Sequence, residues 1–140
     1  MPIGKTVTTR REDAPGFADK AEEFLRSARR ALESGDHDAA MLAAIHAAIT
    51  ANDAACTALL GVRSADPEHQ RAVDLLETIG DRAPDLAARA RQLSALLKKK
   101  NLVEYEARRA TAAEAREAVD RADRFVSWAR GVVRPGPGAR

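Results

Sequence analysis

The hydrophobic pattern is helical along nearly the whole chain. Its centre is the run from Ala39 to Leu60, which holds no Lys, Arg or Glu and carries Asp53 as its one formal charge at neutral pH. At 100° per residue, Ile45, Ile49 and Cys56 point one way with Leu42 and Leu60 beside them, and alanines coat most of the rest. A helix that is apolar nearly all round needs neighbours on several sides. The exception is a narrow stripe: His46, Thr50, Asp53 and Thr57 fall at i, i+4, i+7 and i+11, within about 60° of arc by the helix period. Polar groups on an otherwise dry helix must find partners, and where they find them is the main functional clue. The competing reading is plain core satisfaction, with Thr hydroxyls bonding back to their own helix and Asp53 pairing with a neighbouring Arg or Lys. The run is long enough to span a bilayer, but His46, Asn52 and Asp53 at its centre would be costly there, so no membrane is expected.

On either side of this rod the pattern predicts further helices. Phe17, Ala21, Phe24, Leu25, Ala28 and Leu32 keep helical spacing up to Gly35, which suits a left-handed cap. Asp36 or Asp38 is placed to cap the central helix, which stops at Gly61. Asp66-Pro67 signals the start of a short third helix with Ala72, Val73, Leu75, Leu76 and Ile79 inside. Pro84 opens a fourth, with Leu86, Ala90, Leu93, Leu96 and Leu97 inward, which ends in three lysines and an Asn101 that caps or turns the chain. Thr111 and Glu114 form a capping box for a last helix carrying Ala115, Ala118, Val119, Ala122, Phe125, Val126, Ala129 and Val133. No strand is expected, because apolar and polar residues nowhere alternate through a β-branched run. The expected architecture is all-α, an antiparallel up-and-down bundle of four main helices plus a short fifth. It occupies residues 17–133, behind a flexible leader (1–16) and before a disordered tail (134–140).

Composition adds little to this picture. With 23 basic and 21 acidic residues among 140, the overall charge names no partner. The length suits one domain with a real core. The single cysteine, Cys56, permits no intrachain disulfide, and its place among alanines reads as a packed thiol rather than a nucleophile. His37 between two aspartates is explained by capping, so no metal and no cofactor are expected. The amino terminus lacks an apolar signal core, which points to the cytoplasm. Trp128 anchors either a core edge or an oligomer face.

Charge becomes informative locally. Between Arg89 and Arg109 the chain carries Arg89, Arg91, Lys98, Lys99, Lys100, Arg108 and Arg109 against only Glu104 and Glu106. Such a patch can hold a phosphate backbone, although an exposed lysine-rich helix end is also ordinary.

The first helix, the Gly35-Asp36-His37-Asp38 break and the run from Ala43 to Ala55 together resemble the HEPN domain family. So do Asp66 to His69 ahead of Ala72 to Leu76, and Val103 to Glu106 ahead of Thr111 and the last helix. The resemblance covers about Phe17 to Val133 and lies in pattern and order more than in any rigid motif. It implies a compact helical bundle that usually dimerises. The best-known members are metal-independent ribonucleases, often toxins paired with a minimal nucleotidyltransferase antitoxin. Those enzymes carry Arg, four to six residues, then His, frequently with Asn after the Arg; the matching positions here are Lys100, Asn101 and Tyr105. Tyr, with an unperturbed pKa near 10 against about 6.5 for His, is a poor proton shuttle, and Lys lacks the bidentate fork of Arg.

The expected function is therefore a non-catalytic HEPN-like homodimer that binds RNA, a nucleotide phosphate or a partner protein. Its expected site is Asp53, Lys98, Lys99, Lys100, Asn101, Tyr105 and Arg108, with Asp53 bonded to Tyr105 or paired with Lys100. The alternatives are an endoribonuclease toxin, with Tyr105, Lys100 and His46 as weak catalytic candidates and a nucleotidyltransferase-type antitoxin as partner, and a structural helical adaptor.

Overall fold

The computed structural model describes residues 2–134. In chain order the elements are β1 (Thr6–Thr8), α1 (Ala14–Glu33), α2 (His37–Leu60), β2 (Val62–Ser64), α3 (His69–Glu77), α4 (Leu86–Lys98), α5 (Lys100–Tyr105) and α6 (Ala112–Val133). The fold is all-helical apart from one two-stranded sheet. Helices α1, α2, α4 and α6 are its main members, and α3 and α5 are short.

α2 is the hub. It packs most heavily on α1 and α6 and also touches β2, α3, α4 and α5, so its nearly uniform apolar surface is covered from several directions. α2 is long and apolar enough to cross a membrane, yet most of that stretch is buried inside the domain. α1 offers it Ala14, Ala18, Ala21, Leu25 and Ala28, spaced alternately by four and three, and α6 offers Ala115, Ala118, Val119, Ala122, Phe125, Val126 and Ala129. With so many alanines the helix backbones can approach closely. Phe125 and Trp128, with ring centroids 5.5 Å apart, are the two aromatic side chains buried in this core. Trp128 Nε1 donates to the Pro84 carbonyl at 2.8 Å, which makes this side chain a core edge within the domain.

Two glycines make the ends of α1 and α2. Gly35 (φ +78°) turns the chain between the two helices, and Gly61 (φ +71°) closes α2 while its N–H donates to the Cys56 and Thr57 carbonyls. The capping box at Thr111 is present, with Glu114 N–H donating to Thr111 Oγ1 at 3.1 Å and Thr111 N–H to Glu114 Oε1 at 2.9 Å.

Four expectations need correction. Residues 6–8 of the expected flexible leader form β1, antiparallel to β2 with Val7 opposite Arg63. Three-residue strands are too short to show an alternation; this pair is held by backbone bonds, and the Thr9–Thr57 hydroxyl bond at 3.0 Å ties the end of β1 to α2. Of Asp36 and Asp38, Asp36 takes the N-cap position of α2 without a side-chain bond, while Asp38 accepts from Ala110 N–H at 2.9 Å and from Arg109, clamping the α5–α6 linker onto the start of α2. These bonds hold its carboxyl below the usual range. Asp66 does not cap α3 directly: its carboxylate accepts from Lys5 N–H and Glu68 N–H, both at 2.9 Å, and α3 begins only at His69. Asn101, expected to cap or turn the chain, lies inside the short helix α5, to which buried Leu102 gives an apolar side. Of the expected tail 134–140, residues 135–140 lie outside the described residues.

Candidate nucleic-acid interface

The three consecutive lysines part company at the α4–α5 junction. Lys98 is the last residue of α4, Lys99 lies between the helices, and Lys100 is the first residue of α5. Lys98 and Lys99 line a groove of about 530 Å3 between α4 and α6, together with Arg91, Ser94, Ala95 and Arg121. Arg91, Ala95 and Lys98 sit on one face of α4 at i, i+4 and i+7, and Arg121 arrives from α6 across the groove. Lys99 Nζ lies a loose 3.9 Å from Glu114, and Arg121 pairs with Glu117 on its own helix. Among the described residues Arg91 and Lys98 make no ion pair.

Lys100 faces elsewhere. Its Nζ is 2.6 Å from Glu104 Oε1 one helical turn on, and the two side chains are only 18% and 19% exposed. That bond, more than any other cause, holds the Glu104 carboxyl below its ordinary value. Tyr105 is 76% exposed, so it is neither a core tyrosine nor the partner of Asp53. Asn101 donates to Glu106 at 3.3 Å. Arg108 is spent on Glu114 through two bonds of 2.9 and 3.1 Å, and together with the Thr111 N–H these push Glu114 down to about 2. Of the expected cations, only Lys98 and Lys99 therefore belong to the groove.

The polar stripe of α2 is divided just as sharply. His46 is exposed and meets the edge of Phe24 at 6.5 Å. Thr50 bonds back to the His46 carbonyl, and Thr57 is buried under Thr9. Asp53 opens onto a pocket of about 210 Å3, whose polar wall also includes Asn52, Arg63, Ser64, Asp66 and His69. Burial pushes its carboxyl up to about 7 against the opposing pull of Arg63. Burial, with Asp53 second, also pushes the Cys56 thiol up to about 12, which leaves it protonated and inert at neutral pH. A smaller cleft borders both the pocket and the basic groove, sharing His69 and Leu97 with the first and Ser94 and Lys98 with the second.

The HEPN domain profile matches residues 16–132. The chain belongs to the HEPN family. No curated protein matches it. Within this HEPN domain, the segment aligned by resemblance with the family's Arg-and-His motif is α5, and the structure puts its first residue in an ion pair and its last in solvent. Arg91 and Arg121 were missing from the site expected from sequence. The first carried a legible signal, being on the helical face of Lys98. The second carried none, because only the packing of α4 on α6 brings it across. Arg63 and His69 were missed for the same reason, since they reach Asp53 from β2 and α3. Among the described residues no cluster of His, Cys, Asp or Glu suits a metal ion.

Proposed function

We propose that this HEPN domain binds single-stranded RNA without cleaving it, laying the phosphate backbone in the groove between α4 and α6. The observation that carries the reading is the convergence of Arg91, Lys98, Lys99 and Arg121 on one groove. Four cations spaced along α4, its C-terminal cap and α6 match a run of phosphates, and none of them is buried in a strong pair with another element. The non-catalytic half rests on α5. Lys100, where HEPN ribonucleases carry Arg, is held by Glu104, and Tyr105, where they carry His, extends into solvent without an imidazole's proton chemistry near neutral pH.

The test is fluorescence anisotropy with a labelled oligouridine over a series of salt concentrations, alongside a gel of the same RNA after long incubation. Replacing Arg91, Lys98 and Lys99 by Ala should weaken binding by at least about tenfold and flatten the salt dependence by roughly 0.7 in slope for each phosphate contact removed. Unchanged affinity in that variant would overturn the groove. RNA fragments produced by wild type and abolished in Tyr105→Phe would overturn the non-catalytic reading in favour of a ribonuclease.

A further inference from the structure

We propose that the pocket over Asp53 reads a guanine base in the bound strand, a specificity site that rests on the RNA reading above. The pocket holds a carboxylate that no described protein group bonds. Asn52 is spent on the Ala72 carbonyl and the Cys56 thiol, and Asp66 on two backbone N–H groups, whereas Asp53 accepts no hydrogen bond among the described residues. Arg63 stands on the same wall without closing an ion pair to it, so a donor-only group and an acceptor-only group border one small space.

A metal ion or an amine would satisfy Asp53 but would meet the Arg63 cation. A base edge satisfies both. Guanine alone presents two adjacent donors, N1–H and the 2-amino group, that fit a carboxylate side by side, with O6 as an acceptor next to them. Adenine and cytosine place a ring-nitrogen acceptor beside their amino group, and uracil flanks its single N–H with two carbonyls, so each would turn a lone pair toward Asp53. Ile49, Leu93 and Leu97 supply apolar walls for the ring faces, and about 210 Å3 is below the ~300–1,000 Å3 of pockets that take drug-sized ligands. The cleft at His69, Leu97 and Lys98 borders both the basic groove and the pocket, so the two lie side by side within the span of one bound strand.

Guanine's two donors need the ionised carboxylate, and since burial raises Asp53 to about 7, acid should erase the preference. The other groups facing Asp53 are Arg63 from β2, Asp66 ahead of α3 and His69 on α3, with Lys100 and Glu104 of α5 beyond His69; α4 contributes only Leu93 and Leu97.

The experiment compares an oligouridine carrying one central guanine with its adenine-substituted counterpart by anisotropy competition, and adds free guanosine to the 15N-labelled protein. The guanine oligomer should bind about tenfold tighter at pH near 8, the advantage should vanish in Asp53→Asn and in the pocket-filling Ala72→Leu, and oligouridine affinity should survive both. In wild type the advantage should shrink toward about pH 5.5, with no such trend in Asp53→Asn. Equal affinity for the two oligomers, with lysine-dependent binding intact, would overturn the base pocket and leave the RNA reading standing. If no oligomer binds, the RNA reading fails instead, and guanosine decides the pocket: amide shifts around Asp53 and Arg63 support it, and their absence overturns it.

Discussion

On the side of α2 opposite Asp53, the helix period places Ala44, Ala48, Ala51 and Ala55, all fully buried, whereas Asp53 itself stands at a pocket that water reaches. The first side is closed by small residues on both partners, and close packing there leaves no space for a ligand. The second side carries a carboxylate that burial drives toward neutrality, with no hydrogen bond from the described residues and only the pull of Arg63 to offset it. One helix thus holds a region built for stability and another that works against it, and the second is where a functional group is to be sought.

The sharpest break in this contrast comes from the packed side. Phe125 is fully buried on α6, which packs heavily on α2. Phe125→Ala should cost about 3–5 kcal/mol, seen as a drop of more than ~10 °C in Tm by calorimetry or circular dichroism. A loss under about 1 kcal/mol would mean that this side is as loosely filled as the other.

Asp53→Asn should act in the opposite direction. The folded-state carboxyl titrates near 7, above the ordinary carboxylate value of 3.8, so folding favours the neutral form. Well below pH 4 both states are protonated and Asp53 costs nothing; as pH rises from about 4 to 7 the unfolded chain gains ionisation free energy that the folded chain lacks. Wild type should therefore lose stability relative to Asp53→Asn between about pH 4 and 7, and the gap should stay constant above that. The distance between 3.8 and about 7 caps the gap at roughly 4 kcal/mol, and water at the pocket mouth reduces it to about 1–2 kcal/mol. A variant less stable than wild type at pH 8 would show that Asp53 has a protein partner after all.

How much of this was legible in the chain follows from the range of the interactions. The alanine-lined rod, the glycine ends at Gly35 and Gly61 and the capping box at Thr111 are periodic or local signals, and they match the structure. β1 and β2 are three residues each and mostly backbone-held, so side-chain pattern could not announce them. The lysine run was legible as charge but not as geometry. A new helix starts at Lys100, so Lys98 and Lys99 turn to the α4–α6 groove while Lys100 folds back on Glu104. The stripe on α2 was read correctly as a set of hydrophilic positions on one face. Its assignment to the lysine-to-tyrosine segment failed, because Arg63 and His69 arrive from elements distant in sequence and α5 directs its phenol outward.

The smallest expected effect tests that last point. Tyr105 is the one large aromatic side chain that is mostly exposed among the described residues, and it lines neither the basic groove nor the Asp53 pocket. A side chain that removes so little area from water contributes little to folding, so Tyr105→Ala should change stability by less than about 0.5 kcal/mol. Oligouridine affinity should hold as well, since base stacking on an aromatic is worth about 1–3 kcal/mol only where the strand passes over it. A fall in Tm comparable to that of Phe125→Ala would mean that the phenol is enclosed in solution. A fall in RNA affinity with Tm unchanged would extend the strand's path from the α4–α6 groove over the end of α5, placing this aromatic in the interface although it takes no part in the core.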